Sequence, residues 1–236
     1  MALVLLLLHG HALAAPSETE QTRTLSIAYV EFAPFIYTDN KGNAAGTSRA
    51  LSEQIATRAG FQLEWVSLPI NRVVQYLARG HVDLWLGIAG QPHLQDIVIE
   101  TEAELATVNL SAYHKRSQPP VTSLAELECK HLILISGYAY QGRLNEFLAN
   151  PHSQHSRAPS HEAGLRMLVM GRGDYLLNYD EPLSQVLERL PVRAIERSHL
   201  SRKQGTFLVS RRAPGAQAIA QRLDQAFAAI QAEEAP

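Results

Sequence analysis

The side chains with the most chemical capacity in this chain stand where apolar runs end. Glu31 and Phe32 close LSIAYVEF, residues 25–32. A carboxylate beside an aromatic ring could meet an amine while the ring packs an aliphatic stem or a cation. A core ring beside a solvated acid reads from the same letters. Asp180, in NYDEPL, follows a second apolar run and opens a helical stretch. An ionised carboxylate in a dry cleft binds an ammonium strongly, and Asp is equally suited to capping a helix. GYAYQGR, residues 137–143, joins a strand-like run to a helical one. Its backbone N–H groups could receive a carboxylate or another anion, with Tyr138 and Tyr140 as walls, or the loop could simply pack as a turn.

Catalytic and metal chemistry are poorly represented. Ser136 and Ser160 lie in no Gly-x-Ser-x-Gly context. The histidines of PHSQHSR, residues 151–157, lack carboxylate or cysteine support for a metal. GRGDY is no phosphate loop. The expectation is a binding protein rather than an enzyme, with no metal and no cofactor.

The elements that must position these residues alternate. From 25 to 88 the order is strand (25–32), helix (48–60), strand (61–68), helix (70–80) and strand (82–88). Strand-like VNLSAYHKR (108–116) follows, then SQPP, whose Pro pair makes 117–123 a candidate boundary. Alternation resumes with strands at 131–136, 174–179, 192–196 and 205–210. Between and after them come helices at 141–149, 161–171, 181–190 and about 214–232. Such alternation implies mostly parallel sheet with helices on both faces. One join is written twice, as ARGHVDLWLGI (78–88) and MGRGDYLLNY (170–179). In each, Gly can supply a left-handed helix end, and an Asp three residues on can bond backbone amides at the strand entry. Two similar joins point to two α/β units.

Net charge is −2, and 46% of residues are hydrophobic, so the chain is an ordinary globular one with no basic run to attract nucleic acid. ALVLLLLHGHALAAP is too short for a bilayer span of roughly 20 residues. It reads as a secretory signal peptide over residues 1–15, although no Lys or Arg precedes the apolar run. Export to the periplasm is expected. Cys129, the single cysteine, is expected to be a small buried hydrophobe.

FAPFIYTDNKGNAAG, LPINRVVQYLARGHVDLWLGI, SLAELECKHLILISGYAY and EAGLRMLVMGRGDYLLNYDEPL together resemble the type II periplasmic solute-binding proteins of extracellular family 3, the amino-acid-binding components of ABC transporters. The resemblance implies an α/β two-lobed clamshell. Lobe 1 would hold 24–110 plus 200–236 and lobe 2 115–195, with hinge segments near 108–116 and 192–198. A small polar solute, an amino acid or derivative, would bind between the lobes and be delivered to an inner-membrane permease by a monomeric protein. Phe32 matches the position whose ring stacks on ligand, and Asp180 the aspartate that takes a ligand's amino group.

One departure stands out. Family members carry an Arg after the third strand, in a Ser/Thr-rich loop, to hold the ligand carboxylate as a fork. Here the loop reads GIAGQPHLQD, with no Arg, Ser or Thr. His93 and Gln95 are the polar substitutes, and Arg72, after LPIN, is a candidate to reach the cleft instead. Two further readings stay open: an orphan sensing or partner-binding module of the same fold, and an enzyme resembling cyclohexadienyl dehydratase with Glu31, Asp180 or His93 as its acid.

Overall fold

The computed structural model describes residues 22–234 apart from 137, 139, 141–142, 151–152, 191 and 193. The proposed signal peptide lies outside these residues. The elements run β1 (Arg23–Tyr29), β2 (Tyr37–Thr38), β3 (Ala44–Ala45), α1 (Thr47–Arg58), β4 (Phe61–Ser67), α2 (Ile70–Arg79), β5 (Leu84–Ile88), β6 (Val98–Glu100) and β7 (Ala106–Lys115). They continue through β8 (His131–Ile135), α3 (Arg143–Ala149), β9 (Gln154–Ala158), α4 (His161–Val169), β10 (Tyr175–Tyr179), α5 (Asp180–Arg189), β11 (Ile195–Ser210) and α6 (Ala216–Glu234).

One curled sheet carries the molecule, in the order β4-β1-β5-β11-β7-β10-β8-β9, with β6 also on β11. Its two wings are parallel: β4, β1 and β5 on one side, β10, β8 and β9 on the other. Between them β7 and β11 run antiparallel to each other and to their outer neighbours. Each wing is covered on both faces, as the alternation requires. On the first, α1 and α6 pack around Leu25, Ile55, Phe207 and Leu223, and α2 covers Val73, Leu77, Trp85 and Leu208 opposite. On the second, α4 and α5 enclose Ile133, Leu168, Leu176 and Leu183, while Leu132, Leu134, Tyr175 and Leu177 pack on the other face. The end of β11 and all of α6 thus return to the first wing.

Two stretches read as separate strands, 192–196 and 205–210, are joined in one 16-residue strand, β11, which takes in 195–196 of the first and all of the second. It pairs with β7 from Ile195↔Lys115 to Gly205↔Ala106, with a register shift between His199 and Ser201. The two connections between wings therefore form a hydrogen-bonded ribbon rather than two independent linkers. The stretch around PHSQHSR holds an edge strand, β9, whose His155 is exposed. Cys129 is exposed rather than buried, with φ of 60° in the turn that leads into β8.

The repeated join has the same construction both times. His81 N–H bonds Tyr76 O and Gly80 N–H bonds Leu77 O, and Arg172 and Gly171 repeat this with Met167 and Leu168. Gly80 and Gly171 have φ of 72° and 73°, the left-handed conformation that the motif requires. The aspartates that follow reach across the sheet. Asp83 Oδ2 accepts from Ser26 N–H on β1 (2.9 Å), and Asp174 Oδ2 from His131 N–H on β8 (2.8 Å). Each carboxylate pins the entry of its strand to the neighbouring parallel strand.

Candidate functional site

The parallel strands of both wings end facing one another, where crevices form in open α/β sheets. The turn after β1 is folded on itself: Phe32 N–H bonds Ile36 O (2.8 Å), and Ile36 N–H bonds Phe32 O (3.1 Å). The first amides of α1 hold this turn, Thr47 N–H on Pro34 O (3.2 Å) and Ser48 N–H on Phe35 O (2.9 Å). Contact this close needs Gly46, whose φ is 121°; a Cβ there would lie 2.3 Å from Phe35 O. The turn is thereby fixed with both phenylalanine rings toward the opposite wing.

Phe32 stacks on Phe35 (ring centroids 5.6 Å) and meets two rings of the second wing edge-on, Tyr179 at 5.1 Å and Tyr138 at 5.5 Å. Tyr138 follows β8 and Tyr179 ends β10, so all these rings stand at carboxyl ends of parallel strands. They line a half-open cavity of about 100 Å³, whose other walls are Glu31 and apolar residues such as Ile36, Ile70, Trp85 and Val108. A second, larger compartment of about 620 Å³ is lined by Gln91 after β5, Leu110 of β7, Lys203 of β11, and Leu124, Glu128, Glu146 and Phe147 among others.

Behind the rings runs a polar chain. Asn178 Oδ1 accepts from Tyr179 N–H (2.9 Å), so it also accepts from His161 Nδ1–H (2.9 Å). His161 Nε2 is then left to accept the Tyr138 hydroxyl proton (2.8 Å). Burial pushes the His161 pKa down, with the Asn178 bond opposing, which keeps the ring neutral and the Tyr138 hydroxyl oriented. Burial raises Tyr138 above the ordinary phenol range, and Tyr179 to about 12. Both phenols are neutral at pH 7.

The sequence-derived candidates separate. Glu31, Phe32 and Tyr138 line the aromatic cavity. The Glu31 carboxylate accepts from Thr38 N–H (3.0 Å), Thr38 Oγ1 and Ser67 Oγ (3.3 Å). Tyr140 is a brace: its hydroxyl accepts from Ile135 N–H (2.7 Å) and donates to Leu177 O (3.0 Å), and its ring stacks on Tyr179. Asp180 lies away from the cavity. Its Oδ1 accepts from the Tyr113 hydroxyl (2.8 Å) and its Oδ2 pairs with Arg197 (3.0 Å), beside a separate surface pocket. Arg72 is exposed at the start of α2 and His93 is exposed in a 3-10 turn, Pro92–Leu94; neither lines the cavity. Of the 137–143 loop expected to bind an anion, positions 137, 139, 141 and 142 lie outside the described residues.

Sequence reasoning missed Phe35, Trp85, Tyr179 and His161. Phe35 and Tyr179 carry a usable signal, an aromatic residue one turn beyond or directly at a strand end. His161 carries none, because its partners come from two other elements. The sequence also gave no notice of Glu100, whose two carboxylate oxygens both accept from Gly90 N–H at 3.0 Å in the loop that lacks the arginine.

Comparison with known proteins agrees with this architecture. A search of curated proteins finds no match. Among solved structures, an ancestral arginine-binding protein bound to arginine superposes with a TM-score of 0.70 at 16% identity, covering 90% of this chain and 95% of the other. A histidine kinase sensor domain with similarity to periplasmic binding proteins gives 0.71 at 19%, covering 89% and 91%. An ancestral amino-acid-binding protein described as a precursor of cyclohexadienyl dehydratase gives 0.66 at 15%, covering 89% and 90%. At these identities the likeness establishes the two-lobed α/β fold. Residues 25–235 match bacterial extracellular solute-binding proteins, family 3, and the chain belongs to that family.

Proposed function

We propose that this protein captures a small solute between its two wings, outside the cytoplasm, and presents it to a membrane protein. The observation that carries this reading is the convergence of rings from both wings on one cavity, Phe32 and Phe35 from the first, Tyr138 and Tyr179 from the second. A solute held between them contacts both wings at once, so binding favours the closed arrangement by its differential affinity for it. The ribbon of β7 and β11 is the element about which the wings would move.

The membrane partner in this reading is an inner-membrane ABC permease, as the family membership supports, with a membrane sensor as the variant that the kinase sensor-domain likeness supports. Reaction chemistry has little to build on in the cavity: among the described residues Glu31 is its one charged lining residue, and Asp180 is committed to Tyr113 and Arg197.

A thermal-shift screen of the mature protein against amino acids, amines, organic acids and short peptides tests the solute-binding reading. A ligand at about a thousand times its Kd adds roughly 4 kcal/mol, which in a chain of this size raises Tm by about 8–16 °C. A folded protein whose melting responds to no solute would count against it. Recovery of a permease, rather than a sensor, with the protein from solubilised membranes then decides the partner.

A further inference from the structure

We infer that the solute is a small organic cation without a carboxylate, an aliphatic or aromatic amine. The inference rests on the solute-binding reading and specifies its ligand.

Among the described residues lining the aromatic cavity, Glu31 is the one charged group. Its carboxylate is held by neutral donors, Thr38 and Ser67. Among the described residues no Lys, Arg or His forms an ion pair with it. Three of roughly four acceptor positions on the carboxylate are filled. The anion is therefore oriented at the exposed mouth of the cavity, with one acceptor position and its charge open to solvent rather than met by a protein donor or counter-charge. An ammonium supplies both in a charge-assisted hydrogen bond. The faces of Phe32, Phe35, Tyr138 and Tyr179 suit the remainder of such a molecule, because aromatic faces attract cations and pack carbon chains.

Among the described residues, the lining of the cavity offers a carboxylate no cationic side chain. The loop after β5 has no arginine, and its Gly90 N–H is already taken by both oxygens of Glu100. Glu100 thus occupies an amide of this loop and places a negative charge beside Gly90, which lines the larger compartment. Arg72 and His93 do not line the cavity. In the larger compartment Glu128 and Glu146 outnumber Lys203 among the described lining residues. A ligand carboxylate placed here would lose its hydration without gaining a donor and would face like charges.

The test uses matched pairs that differ in the carboxylate alone: phenethylamine against phenylalanine, agmatine against arginine, cadaverine against lysine. Calorimetric titration at pH 7 should show, in at least one pair, the amine binding at least tenfold more tightly than its amino acid. That affinity should fall as salt is raised and drop at least tenfold in Glu31→Gln, whose unliganded melting temperature controls for folding. Glu100→Gln removes the competing charge and should narrow the gap within the pair. Amino acids that bind as well as or better than their amines, or a Glu31→Gln protein that is folded and binds the amine unchanged, would overturn the inference and leave the solute-binding reading standing. No binding by any member of the pairs or of the wider solute screen would overturn both.

Discussion

Tyr179 and Asp180 are neighbours in the chain and serve different sites, because successive residues leaving a strand point to opposite sides. Tyr179 joins the cavity, whereas Asp180 turns to Tyr113 and Arg197. The partners of Asp180 were not legible, since nothing in NYDEPL reveals an arginine seventeen positions on. Glu31 and Phe32 were legible because a strand end is where an α/β crevice opens. His161 was not, because its role depends on partners that only the fold supplies. That role predicts a pH effect. The His161 pKa is depressed by burial, so its contribution to stability is complete above the unfolded value near 6.5 and is lost as pH falls below it. Urea midpoints should decline from pH 7 to pH 5. His161→Gln should flatten that decline, and an unchanged slope in the variant would show that other groups set it.

At the scale of elements, the helix-to-strand joins read correctly because their chemistry is local: glycine permits the left-handed helix end wherever it stands. What the Asp bonds was not legible, since Ser26 and His131 lie on strands that only sheet pairing brings near. The merged β11 and the edge strand β9 share another cause. RSHLSRKQ and QHSRA are polar, and strands with so few apolar residues have no hydrophobic period to announce them. The turn after β1 depends on Gly46, and Gly46→Ala is expected to disturb it by placing a methyl group against Phe35 O while forcing a non-glycine residue to φ of 121°. The cost is about 1–3 kcal/mol, visible in the urea midpoint, with a parallel loss of affinity for any solute held by Phe32. A variant of wild-type stability and affinity would show that the turn relaxes freely.

For the whole molecule, the contacts of Phe32 with Tyr138 and Tyr179 act as a latch between wings that are otherwise joined by a ribbon. Such ring pairs contribute about 0.5–1.5 kcal/mol each beyond their buried area, enough to shift an open-to-closed ratio by roughly fivefold to over a hundredfold. Phe32→Ala should therefore enlarge the radius of gyration of the solute-free protein in small-angle scattering. Superimposable curves for the two proteins would mean that the ribbon alone holds the wings together. The ribbon also decides when folding can finish. The core of the first wing takes Phe207, Leu208 and Val209 from β11, and Ile219, Leu223 and Ile230 from α6. During synthesis the elements made first must wait, with their apolar faces uncovered, for those made last, while β8, β9 and β10 of the second wing have already emerged.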